Sequence, residues 1–163
     1  MLEKIWKDWT AFASYAFNKS HATCYSWVAY QTAFLKANFP AQYMAAVMSR
    51  SMGNIADLTK FLDECKAMRL VCLGPDVNES FRKFSVNHLG DIRFGLAGIK
   101  GLGDNAVQAI IDERERGGKY LSVFDFFERV NLNICNRKNL ECLALSGAFD
   151  SFGELRREQF FGQ

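Results

Sequence analysis

Gly98-Ile99-Lys100-Gly101-Leu102-Gly103, followed at once by Asp104-Asn105-Ala106-Val107-Gln108-Ala109-Ile110-Ile111, is the stretch whose residue types could do chemistry. Gly101 and Gly103 flank one apolar residue, and the helix-period run behind them stops at Gly117-Gly118. The spacing predicts a tight turn feeding a helix of about thirteen residues. Glycines in such a turn adopt positive φ at little cost and put no side chain in the way, so N–H groups of the turn and of the helix start converge on an anion. The chemistry is the holding of a phosphate by amides. Gly98, Lys100, Gly101, Leu102, Gly103 and Asn105 are the candidate phosphate-binding residues, and Lys100 adds a charge beside the amides.

Most Gly-x-Gly turns are only helix starts or hairpin corners. Here the apolar-x-Gly-apolar-Gly pattern, with the small Ala106 three positions later, resembles the helix-hairpin-helix motif, whose hairpin amides hold a nucleic-acid backbone without reading its sequence.

Catalytic groupings are missing from the sequence. Two-metal phosphoryl transfer needs carboxylates gathered on a rigid element, and the chain has no Asp-x-Asp or Asp-x-Glu on a strand pattern. Asp63-Glu64 and Asp112-Glu113 fall on amphipathic helices, where solvated charge explains them. His21 and His88 are the only histidines, neither placed for a nucleophilic triad. His21-x-x-Cys24 is at most half a metal site, so no metal ligands are assigned.

The chain of 163 residues is 49% apolar and 14% aromatic, enough for a core of one domain or two small ones. No apolar run reaches membrane-spanning length and no signal-peptide pattern opens the chain, so a cytoplasmic protein is expected. Five cysteines, Cys24, Cys65, Cys72, Cys135 and Cys142, are scattered and read as reduced core residues. The net charge of +2 is unevenly spread. Between Asp8 and Asp57 there is no acidic residue, while Lys19, Lys36 and Arg50 stand among many aromatic side chains. From Gly53 onward basic and acidic residues nearly balance, which turn amides tolerate because they carry no formal charge.

The elements that must position the glycine turn follow from periodicity. Leu2, Ile5, Trp6, Trp9, Phe12, Ala13 and Ala16 predict an amphipathic helix with its stripe inward. Ser20 is the expected N-cap of a buried helix from about Ala22 to Asn38. Pro40 opens a helix to Met52, and Asn54 caps another to Met68. Leu70 to Leu73 reads as a short strand, and Phe84-Ser85-Val86 with Ile92-Arg93-Phe94 as a hairpin. Ser122 and Asp125 form a capping box, Asn136 caps a helix to Ser146, and Gly147 sits at its C-terminus. A last helix is expected from Phe152 to Gln163. The second pair of helices, with Asn131-Leu132-Asn133 in place of glycines, looks like a degenerate copy of the first hairpin.

Phe17-Asn18-Lys19-Ser20-His21-Ala22, Tyr30-Gln31-Thr32-Ala33, Leu35-Lys36-Ala37 and Pro40-Ala41-Gln42-Tyr43-Met44-Ala45-Ala46 resemble consecutive signatures of the bacterial replicative DNA polymerase III alpha subunits. So do Gly74-Pro75-Asp76-Val77-Asn78, Ile92-Arg93-Phe94-Gly95-Leu96, Ile99-Lys100-Gly101 and Ser146-Gly147-Ala148-Phe149-Asp150. The resemblance implies a mainly α chain with one small β-hairpin, a piece of a longer nucleotidyltransferase. Residues 1–75 would be a helical fingers portion, 76–97 a linker with the hairpin, and 98–163 a tandem helix-hairpin-helix unit binding double-stranded template-primer DNA. It implies that Asn18, Lys19, Ser20 and His21 belong to the fingers surface near the incoming nucleotide and template; a capping Ser20 and a structural His21 are the alternative. It places the catalytic aspartates and Mg²⁺ of the parent DNA-directed DNA polymerase upstream, so no cofactor is expected in this piece, which is expected to be inactive alone. The partners implied are duplex DNA and the remaining polymerase domains, with no membrane. A repair-type helix-hairpin-helix protein and a scaffold packed inside a larger protein are the other readings.

Overall fold

The computed structural model describes residues 1–15, 19–153 and 155–161. Contacts divide the chain into two compact units, Met1–Phe39 and Pro40–Gln163.

The first unit holds α1 (Leu2–Tyr15) and α2 (Lys19–Asn38). The spacing of Leu2, Trp6, Trp9 and Phe12 makes a helix as expected, but the stripe is not inward: these four are between 70% and 83% exposed. Likewise α2 contains no buried residue, and Tyr25, Trp27, Tyr30 and Phe34 are exposed. Periodicity signals a helix, whereas burial needs an opposing apolar surface, and none among the described residues covers these faces. Ser20 is not the N-cap either. The helix reaches back to Lys19, whose carbonyl accepts a 2.8 Å bond from the Thr23 hydroxyl, leaving Ser20 inside the first turn.

In the second unit α3 (Pro40–Arg50) starts on its proline, and α4 (Ile55–Ala67) is capped by the Asn54 side chain, which accepts from the Asp57 amide at 3.3 Å. Three short strands follow, β1 (Cys72–Leu73), β2 (Ser85–Val86) and β3 (Ile92–Arg93), in the order β1-β3-β2. The expected hairpin pairs Val86 with Ile92, and β1 adds to β3 in parallel. Met44, Met48, Cys65, Phe84 and Ile92 form one core. A larger core joins Val77, Leu96, Val107, Ile110, Phe126 and Leu143, and Phe94 packs against both.

That larger core lies between α5 (Asp104–Gly117), α6 (Val123–Arg129) and α7 (Arg137–Ser146). Ser122 and Asn136 cap α6 and α7 as expected, and Gly147 ends α7 at φ +82°. Among the described residues the expected final helix is replaced by two 3₁₀ turns, Asp150–Phe152 and Arg157–Phe161, with positions 154, 162 and 163 lying outside them. Gly153 at φ +67° stops the first turn, and Arg157 pairs through two nitrogens with Asp150, folding the tail back over Gly147. The cysteines are all free but not all in a core: Cys65 and Cys135 are buried, Cys142 is half-buried, and Cys24 and Cys72 are exposed. Burial pushes the Cys65 thiol up to about 12 and that of Cys135 to about 11.

Three polar devices hold α5 in place. The Arg114 guanidinium is buried and donates 2.8 Å bonds to the carbonyls of Val77 and Ser80. Asn78 brackets Tyr120, donating to its carbonyl at 2.9 Å and accepting from its amide at 2.8 Å, while the Tyr120 hydroxyl donates to Ile110. In the third, Arg129 binds Glu113 at 3.2 Å, Asp125 at 3.1 Å and the Gly118 carbonyl at 2.9 Å, with its guanidinium over the Tyr120 ring.

Burial alone would raise Glu113, but Arg129 and Arg116 together hold it below its ordinary value. The Leu121 amide and then Arg129 lower Asp125. Depressed carboxylates stabilise the fold above their unfolded values, and that contribution is lost as pH falls through the lowered ones. Urea midpoints are therefore expected to decline below about pH 5. Arg129→Gln should lower the midpoint at neutral pH and flatten the acid decline; an unchanged acid profile would contradict the assignment.

Candidate nucleic-acid interface

The chain enters the glycine stretch from β3. Gly95 sits so close to the preceding segment that a Cβ there would lie 2.4 Å from the Lys83 carbonyl carbon. The amides of Leu96 and Ala97 bond the carbonyls of Phe81 and Arg82 at 2.9 and 3.1 Å. Leu96–Gly98 then forms a 3₁₀ turn.

Ile99 to Leu102 is a β-turn closed by a 3.2 Å bond from the Leu102 amide to the Ile99 carbonyl. Gly101 stands at φ +89°, as position three of a type II turn requires. Gly103 does not share this role. At φ −76° and ψ 150° it is the extended N-cap of α5, with nothing within 4 Å of a Cβ placed on it. Its lack of a side chain matters for access to the amides.

The candidate residues separate into two groups. Lys100, Gly101, Gly103 and Asn105 are exposed and adjoin one another at the turn and the first residues of α5. Among the described residues, the amides of Lys100, Gly101, Gly103, Asp104 and Asn105 donate to no protein acceptor. Gly98 and Leu102 differ from the expectation of free amides. The Gly98 amide donates to Gly95 at 3.0 Å and that of Leu102 to Ile99, while the Leu102 side chain is buried in the larger core. These two hold the turn in shape. A Cβ on Gly101 would meet the Cys142 sulfur at 2.9 Å, so α7 backs the turn from the other side.

The second hairpin, Val130 to Asn136, gives an internal comparison. Asn131 accepts through its carbonyl from the Ile134 and Cys135 amides at 3.0 and 2.8 Å, and through its side chain from the Asn133 amide at 3.0 Å. The Ile134 bond is the same four-residue turn closure that Leu102 makes to Ile99 in the first hairpin, and the Asn131 side chain adds one bond, to the Asn133 amide.

Sequence reasoning missed Arg82. Its Nη2 lies 2.7 Å from Oδ2 of Asp104, the first residue of α5, which places a guanidinium at the mouth of the amide cluster. No local signal connects these positions. Of the paired carboxylates, Asp63 meets Lys66 at 3.1 Å and Asp112 accepts from Gln108 at 2.7 Å, whereas Glu113, expected to be solvated, has a side chain only 11% exposed and is held by Arg129. Among the described residues no three of His, Cys, Asp or Glu gather where they could hold a metal ion.

Of the second candidate set, Asn18 lies outside the described residues. Lys19, Ser20 and His21 are exposed on the first turn of α2, and the His21 ring lies 4.4 Å from that of Tyr25. No helix among the described residues is long and apolar enough to cross a membrane.

Comparison with known proteins bears on this geometry. The family model described as the helix-hairpin-helix motif matches residues 69–159. The chain is 48% identical over 149 residues to the DNA polymerase III subunit alpha of Borreliella burgdorferi, covering 91% of this chain and 13% of that protein. It is 46% identical over 145 residues to that of Pasteurella multocida, covering 89% and 12%. Against that of Escherichia coli strain K12 the figures are 45% over 145 residues, 89% and 12%. The chain spans about an eighth of the length of the curated relatives it matches. It belongs to the helix-hairpin-helix family, in the form carried by one segment of the DNA polymerase III alpha subunits.

Proposed function

We propose that this chain is the part of a replicative DNA polymerase that holds the template-primer duplex by its phosphates, without reading its sequence, through the turn at Lys100–Gly103 and the start of α5. The observation that carries this is the set of exposed, unbonded amides at that turn, with Lys100 beside them. A nucleic-acid phosphate is the ligand that suits such donors. The parent enzyme would carry out DNA-directed DNA synthesis in the cytoplasm, and this segment alone would not polymerise. The Mg²⁺ attached to that activity does not fit the described residues, which gather no set of ligands for it. Lys19, Ser20 and His21, on an exposed turn within an acid-free stretch, suit a fingers surface facing template and nucleotide.

The test is the affinity of the 163-residue chain for a fluorescein-labelled duplex of mixed sequence, read by anisotropy over a salt series. Log K should fall by about 0.9 per phosphate contacted on a log-salt axis. Gly103→Val should leave the fold intact, since its φ is ordinary and the space around it open. It should also weaken binding about tenfold by covering the amides. Equal affinity in the folded variant rejects the turn as the site.

A second role is favoured by the exposed Trp6, Trp9, Phe12, Trp27 and Tyr30 of α1 and α2. Apolar faces of this extent suit packing against the other domains of the polymerase.

A further inference from the structure

We infer that Arg82 is a further phosphate contact of this interface, parked on Asp104 until a nucleic-acid phosphate takes the carboxylate's place. The inference rests on the proposed hairpin reading and adds to it a residue from a different segment.

The main chain around Arg82 is fastened to the hairpin. Its carbonyl accepts from Ala97 at 3.1 Å, the Phe81 carbonyl accepts from Leu96 at 2.9 Å, and Gly95 abuts Lys83. The side chain then reaches the start of α5, where Nη2 meets Asp104 Oδ2 at 2.7 Å. Both side chains remain accessible, at 45% and 66% exposure, and an ion pair this open to water is weakly held.

Asp104 is a carboxylate at a helix N-terminus, beside amides with no protein acceptor. There it offers the kind of charge that these donors and the helix dipole favour. A phosphate arriving at the same donors repels Asp104 and attracts the guanidinium, whose planar fork suits phosphate oxygens. Arg82 needs only to turn its head from one anion to the other. Its backbone attachments keep it beside the turn throughout.

The experiment uses the full 163-residue chain and the same labelled duplex over a salt series. Arg82→Gln should weaken binding about fivefold to tenfold at low salt and reduce the salt slope by about 0.9, the loss of one phosphate contact. Arg82→Lys keeps the charge and should keep the slope. Asp104→Asn removes the competing carboxylate and should tighten binding several-fold without changing the slope. A pair that merely fastens two segments predicts otherwise: an unchanged slope in Arg82→Gln, or weaker binding in Asp104→Asn, overturns the inference. Gly103→Val separates the two readings. If it weakens binding while Arg82→Gln leaves the slope intact, only the role of Arg82 falls; if Gly103→Val has no effect, the hairpin reading falls.

Discussion

Gly101→Val is expected to destabilise the chain by about 2–4 kcal/mol and to abolish measurable duplex binding. Two costs combine. Position 101 stands at φ +89°, where a β-branched residue is strained by about 1–2 kcal/mol or more. In addition, its Cβ would lie 2.9 Å from the Cys142 sulfur, forcing α7 or the turn to shift. Cys142→Ala in the same chain should relieve the steric part and leave the conformational part. Urea denaturation of the two single variants and the double variant separates these contributions. If Gly101→Val unfolds at the wild-type midpoint, the turn geometry described here is wrong. The contrast with Gly103→Val is informative because the two glycines lie two residues apart and act by different means, one through backbone conformation and the other through open access.

Phe126→Ala should have the largest effect on stability, about 3–5 kcal/mol. The ring is fully buried and makes edge contacts with Tyr120, Phe149 and Phe127 at centroid distances of 4.8, 5.0 and 5.9 Å. Removing it leaves a void that the surrounding helices, braced by Arg129 and Arg114, cannot readily close. Thermal unfolding followed by circular dichroism should show a drop of more than about 10 °C. A drop of only a degree or two would mean that this core is not the one supporting the hairpin. Phe126→Leu, which keeps most of the volume, should recover a good part of the loss.

These effects link packing to function through one structural relation. The hairpin offers donors because its own apolar residues, Ile99 and Leu102, are drawn into the core below, turning the backbone of Lys100, Gly101 and Gly103 outward. The second hairpin closes with the same kind of turn bond, from Ile134 to Asn131, and the Asn131 side chain additionally holds the Asn133 amide.

Local chemistry was legible in the amino-acid sequence. The caps at Asn54, Ser122 and Asn136, the left-handed Gly147, the β2–β3 hairpin and the turn before α5 each depend on residues a few positions apart, so their types and spacing determine them. The family was legible for the same reason, in short motifs along the chain. Tertiary structure decided the rest. Only the fold brings Arg82 to Asp104, pairs β1 with β3 in parallel, and divides the candidate amides into bonded ones at Gly98 and Leu102 and open ones around them. Only the fold shows that the stripes of α1 and α2 stay exposed. Periodicity records which side of a helix is apolar; what lies against that side depends on contacts between distant parts of a chain, which spacing does not encode.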